Sequence, residues 1–136
     1  MGQTGFTMLV NFLCGDGHGE EVFTSAIGKT IKEVNLVNDA LYFTFEDGYR
    51  MRIFDDGQSC CESRYMRTDD DLNYFVGAKL TGVEIKDAPN VPDKYGYHEV
   101  QFLEIQTDRG VFTISSHNEH NGYYGGFWLR AETVVE

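Results

Sequence analysis

The sequence predicts a β-rich α+β domain. The expected form is a mostly antiparallel meander of seven or eight strands, closed as a sandwich or an open barrel, with one short helix. Three observations predict it. From Lys29 onward, β-branched and aromatic residues alternate with polar ones at the two-residue period of a strand. Short turn signals separate these runs: Asn38-Asp39, Asp47-Gly48 and Asp108-Arg109-Gly110. The chain has only two prolines, Pro89 and Pro92, so most runs are free to pair in ladders. Strands joined by tight turns are antiparallel neighbours.

Taken in order, Thr4 to Leu13 is a candidate strand and Cys14 to Glu21 a loop. Glu20 to Ile27 suits a helical turn or a strand equally. Thr30 to Val37, Ala40 to Glu46 and Tyr49 to Asp55 are strands, the last two joined at Asp47-Gly48. Ser59 to Arg67 is extended. Thr68 to Gly77 reads as the one clear helix: Thr68 or Asp69 can cap it, acids fill its first turn and Gly77 can end it. Lys79 to Asp87 is a strand, followed by a proline loop. Tyr97 to Thr107 and Val111 to Ser116 are strands, His117 to Gly126 is a loop, and Phe127 to Val135 is the last strand. No internal repeat stands out.

A chain of 136 residues is the size of one domain. Ten Phe, eight Tyr and one Trp supply enough apolar surface to fold without staples. The net charge is −11, from 22 acids against 11 bases. That charge repels polyphosphate, which argues against direct nucleic-acid binding, and it disfavours an anionic membrane. Three cysteines, Cys14, Cys60 and Cys61, with no C-x-x-C, fit a reducing compartment; the expected location is cytoplasmic.

Few residues point to chemistry. Cys60 and Cys61 are adjacent, so on a strand they face opposite ways and cannot share a metal ion. His117 and His120 flank Glu119 beside a glycine-rich stretch that suits no ligand helix. No phosphate loop, EF-hand, G-x-S-x-G or metalloprotease helix motif occurs. No catalytic constellation, metal or cofactor is expected. The arginines are more informative. Four of six, Arg50, Arg52, Arg64 and Arg67, fall within eighteen residues, with Tyr65 among them. Guanidinium groups beside aromatic rings suit a phosphate and a base. Tyr123, Tyr124 and Trp128, around Gly125 and Gly126, form a second candidate ligand surface.

Several motifs carry a resemblance: Gly28 to Val34 ("GKTIKEV"), Cys60 to Ser63 ("CCES"), the frame of Asp71, Leu72, Val76 and Gly77, and Asn121 to Tyr124 ("NGYY"). In this order they are similar to a family of small proteins encoded by bacteriophages and prophages. The resemblance covers Gly28 to Arg130, a core of 28–130, and leaves residues 1–27 as an N-terminal extension. It implies an accessory protein made in an infected host cell, and a small acidic protein of that origin without a catalytic constellation is expected to act by binding. The first expectation is a stoichiometric inhibitor of a host defence protein, using its acidic surface. The alternative is a sponge for a nucleotide second messenger, with Arg50, Arg52, Arg64, Arg67, Tyr65, Tyr123, Tyr124 and Trp128 as ligand-binding residues. The third is a thiol enzyme using Cys60 or Cys61. A homo-oligomer is also expected, since sheet edges and aromatic loops favour self-association.

Overall fold

A computed structural model describes residues 18–55, 57, 62–87, 91–93, 96–120 and 127–134. The described elements are α1 (His18–Ala26), β1 (Ile31–Val37), β2 (Ala40–Phe45), β3 (Arg50–Asp55), β4 (Glu62–Arg67), a 3-10 turn (Leu72–Phe75), β5 (Leu80–Asp87), β6 (Val91–Asp93), β7 (Gly96–Thr107), β8 (Gly110–His120) and β9 (Leu129–Thr133). Eight strands have five residues or more, as the alternation predicts, and β6 adds a three-residue one inside the proline loop. The candidate strand Thr4 to Leu13 lies outside the described residues.

The strands form two antiparallel sheets, β1-β2-β3-β9 and β4-β8-β7-β5, with β6 also on β7. No barrel closes among them. Ile31, Val34, Leu41, Phe43, Met51, Ile53 and Leu129 from the first sheet join Met66, Leu80, Val83, Ile85, Leu103, Ile105, Phe112 and Ile114 from the second in one apolar cluster. Burying an aromatic such as Phe43 contributes roughly 1.5–3 kcal/mol each. Helix α1 adds Val22, Phe23 and Ala26 to this cluster and packs against β9.

The connectivity is not a simple meander. β4 follows β3 in the chain but pairs with β8. β9 follows β8 but pairs with β3. Each half of the chain therefore gives its fourth strand to the other half's sheet.

The halves repeat one another, which sequence reading did not find. The turn and ladder bonds between Phe23 and Leu36 recur between Leu72 and Ile85. Ile27 N–H donates to Thr24 O at 3.2 Å, and Val76 N–H to Asn73 O at 3.2 Å. Lys29 N–H donates to Ala26 O, and Ala78 N–H to Phe75 O, both at 3.1 Å. Gly28 N–H crosses to Leu80 O at 2.7 Å, and Gly77 N–H crosses back to Ile31 O at 2.8 Å. Gly28 and Gly77 have φ of 87° and 95°, the left-handed region that glycine adopts without a Cβ clash. Both ladders then shift by one residue, between Ile31 and Glu33 and between Leu80 and Gly82. The shift puts Ile31 with Val34, and Leu80 with Val83, on the inner face despite their three-residue spacing. Within these two stretches only a glycine and a valine coincide in type. The repeat is one of backbone and burial, invisible as sequence identity.

Two expectations are corrected. Thr68 to Gly77 is not a two-turn helix but a single 3-10 turn capped by Asp71, whose Oδ1 accepts from Asn73 N–H. Thr68 donates instead to Thr113 O of β8, and Asp70 accepts from Thr113 N–H, so the would-be cap Thr68 and the first-turn acid Asp70 close the edge of a sheet. The α-helix is the undecided segment, His18–Ala26. His117 to His120 is not a loop: β8 runs through it, paired on one side with β7 and on the other with β4.

Candidate functional site

The repeat is broken at one end. The β1-β2 hairpin turns tightly at Asn38 and Asp39, both at positive φ, as a two-residue turn requires. The matching strands of the second sheet continue past that point, β7 back to Gly96 and β8 on to His120. β4 pairs along this extension. Nothing in the core shared by the two halves needs it, and both of its faces carry polar side chains.

On the inner face the core row of β8, Phe112 and Ile114, gives way to Ser116 and Asn118, and that of β7 to Gln101; all three polar residues are buried. Arg64 of β4 points inward here. Its Nη1 donates to Asp55 Oδ2 at 2.8 Å, and the two side chains are 4% and 6% exposed. Asp55 ends β3, so this ion pair ties the two sheets together. Asp55 Oδ1 also accepts from Gly57 N–H at 3.0 Å and from Trp128 N–H at 3.3 Å. The Arg64 guanidinium carbon lies 5.2 Å from the Trp128 ring centroid. A Cβ at Gly57 would stand 2.9 Å from that carbon and 3.0 Å from Trp128 Cε3. Glycine thus closes the space between arginine and indole, and the pair is an anchor for β4. Beside it, His120 Nε2 lies 2.9 Å from Glu99 Oε1.

The outer face carries a half-exposed network. Tyr65 of β4 donates to Glu119 Oε2 at 2.5 Å and stacks on His117, its cross-strand neighbour, with centroids 4.6 Å apart and planes 6° from parallel. Burial and the bond to Glu119 push the Tyr65 phenol up to about 12. His98 Nε2 is 2.9 Å from His117 Nδ1, and His117 Nε2 is 2.9 Å from Ser115 Oγ. The His98 and His117 centroids are 5.1 Å apart, so the two nitrogens face each other at hydrogen-bond distance. That is hydrogen-bond geometry, not two lone pairs converging on an ion, and no group of three metal-ligating residues gathers among the described residues. Burial, then the neighbouring His98 and Arg67, holds His117 below the ordinary histidine value and keeps it neutral near pH 7. Arg67 lies over Tyr65, with its guanidinium carbon 5.1 Å from the ring centroid.

The arginines singled out in sequence do not form one cluster. Arg50 and Arg52 share the outer face of β3, as their spacing predicts, and Arg52 is paired with Glu132 of β9. Arg64 and Arg67 lie on opposite faces of β4, in the other sheet. The structure does bring together Arg64 with Trp128 and Arg67 with Tyr65. Tyr123, Tyr124, Cys14, Cys60 and Cys61 lie outside the described residues. His117 and His120 fall on opposite faces of β8, so they cannot act as a pair. Sequence reading missed His98 and Glu119 as partners of Tyr65, and Ser115 as a partner of His117. The signal was the period-two pattern of Val111 to Ser116, which continues unbroken through His120.

A third surface is acidic. The crossing segment from β4 to the 3-10 turn carries Asp69, Asp70 and Asp71, all exposed. Exposed Asp39, at the β1-β2 turn, reaches the same place, accepting from Met66 N–H at 3.2 Å. This rim joins both sheets. Among the described residues none of these four acids has a cationic partner, whereas Lys29, Arg52, Arg64 and Lys86 are paired with Asp47, Glu132, Asp55 and Glu104.

Residues 24–129 match a family model described as a domain of unknown function, DUF7448. No curated protein and no solved structure matches the chain. No helix among the described residues is long and apolar enough to cross a membrane.

Proposed function

The chain belongs to the DUF7448 family, and from its geometry we propose that it works by binding, with the acidic rim of Asp39, Asp69, Asp70 and Asp71 engaging a basic protein partner. One observation carries this reading: the rim acids are exposed and without cationic partners among the described residues, while the cations named above are paired with acids elsewhere in the same chain. A surface of this kind imitates the phosphates that a nucleic-acid-binding protein recognises. A host defence protein of that type is the partner we assign. The test is calorimetry with a partner recovered at low salt, repeated over a salt series. Affinity should fall steeply as salt rises, and an Asp69→Asn, Asp71→Asn variant should bind more weakly. An affinity indifferent to both salt and these changes would reject the rim.

A second reading is favoured by the Arg67–Tyr65 pair. An exposed guanidinium above an aromatic ring, next to two imidazoles, suits a small phosphate-bearing ligand such as a nucleotide messenger. Titration with a panel of cyclic nucleotides tests it. Heat from one of them that disappears in Arg67→Ala would move this reading ahead of the acidic rim.

A further inference from the structure

We infer that Ser115 is an activated nucleophile, with His117 as its base and His98 as the residue that positions that base. The inference goes beyond binding and rests on the outer face of the β4-β8-β7 sheet alone.

The atoms are the ones such a relay needs. Ser115 Oγ lies 2.9 Å from His117 Nε2, and the other ring nitrogen, Nδ1, lies 2.9 Å from His98 Nε2. In a serine–histidine–third-group arrangement, Nε2 takes the hydroxyl proton while Nδ1–H is held by the third residue. Here that residue is His98, accepting from His117 Nδ1–H. In the tautomer with its proton on Nδ1, His117 offers the Nε2 lone pair to Ser115. The Ser115 proton has two acceptors in reach, His117 Nε2 and, farther away at 3.2 Å, the Arg67 carbonyl. The base is also fixed in orientation. Ser115 and His117 are on the same face of one strand, and the Tyr65 ring lies flat against His117. Tyr65 is held in turn by its bond to Glu119. Burial, with His98 and Arg67 acting against Glu119, holds His117 below the ordinary histidine value and so toward the neutral form that can accept a proton. The Arg67 side chain is exposed, and Arg67 is the cross-strand partner of Ser115. It supplies positive charge on the side where an oxyanion or an anionic substrate group would develop.

The class of reactant is an activated ester or a phosphoryl fluoride. Oγ attacks the electrophilic carbon or phosphorus and forms one new bond. The hydroxyl proton passes to His117 Nε2. The leaving group, a phenolate or fluoride, departs with its bonding electrons, and His117 then releases the proton to water. No oxidant, metal or co-reactant is required. The product we assign is a covalent adduct of one group per chain.

The experiment is incubation of the full chain with diisopropyl fluorophosphate, followed by intact mass and peptide mapping. One adduct on Ser115 is expected in the wild-type protein and none in Ser115→Ala. His117→Phe keeps an aromatic ring against Tyr65 but removes the base, and labelling should slow by about a hundredfold or more. His98→Phe should move the pH profile of labelling, a readout that loss of packing alone would leave unchanged. Circular dichroism checks that each variant folds. An unmodified Ser115, an adduct that persists in Ser115→Ala, or wild-type rates in His117→Phe would each overturn the inference, as would an unshifted profile in His98→Phe.

Discussion

Thr30 and Lys79 pair in an antiparallel bridge outside the two ladders, and each holds the same place in its own half of the chain. Glu46 N–H donates to Thr30 O at 2.9 Å, and Asp108 N–H donates to Lys79 O at 3.1 Å. The bridge therefore sits where an approximate two-fold axis relates the halves. Gly28 and Gly77 flank it on matching sides. An added Cβ meets nothing within 4 Å at Gly28, and at Gly77 only the tip of Arg109, so backbone conformation dominates the cost of substitution. Gly28→Ala and Gly77→Ala should each lower stability by about 1–2 kcal/mol, and by similar amounts. Urea unfolding measures both. A neutral result at one site and a large loss at the other would show that the repeat does not extend to energetics.

The Arg64–Asp55 pair ties β4 to the end of β3 in a site with little water. Removing one partner leaves the other charge buried. Arg64→Met and Asp55→Asn should each cost about 3–5 kcal/mol. The double variant should cost less than the sum, because the two changes remove the same interaction. A full denaturant cycle on the four proteins reads the coupling, and strict additivity would show that the pair is not a unit.

His117 gives the fold a pH dependence. Its folded value lies below the ordinary one, so below about pH 6.5 the unfolded chain takes up a proton that the folded chain resists. This contribution is fully present above that pH and is lost as pH falls through the folded value. His117→Phe should flatten the decline in stability between neutral and mildly acidic pH. Parallel slopes for variant and wild type in urea melts at several pH values would contradict this account.

The acids of Asp69 to Asp71 are not equivalent. Asp70 accepts from Thr113 N–H at 2.8 Å and Asp71 caps the 3-10 turn, while Asp69 makes no such bond among the described residues. Asp70→Ala should therefore lower stability by about 1 kcal/mol. Asp69→Ala should leave it within about 0.5 kcal/mol. Thermal melts of the two single variants decide the point, and equal effects would remove the distinction.

The sequence by itself determined the eight longer strands among the described residues, because alternation of apolar and polar residues is a local property that each ladder then uses. It determined the turn at Asn38-Asp39, where short polar residues tolerate positive φ, and the break at Gly77. It also determined that Arg50 and Arg52 share a face, since two residues is one period of a strand. Its misreading of Thr68 to Asp70 came from a local rule that tertiary contact overrode. The same hydroxyl and carboxylate that can cap a helix can also close the edge of β8, and the edge won because Thr113 otherwise leaves backbone groups unpaired. Only the tertiary structure decided that β4 and β9 change sheets. That crossing separates Arg50 and Arg52 from Arg64 and Arg67, and it carries Tyr65 to His117 and Arg64 to Asp55. Such pairings depend on which strands lie side by side. Backbone ladders are chemically alike, so strand order is chosen by how the apolar faces of the whole chain fit together.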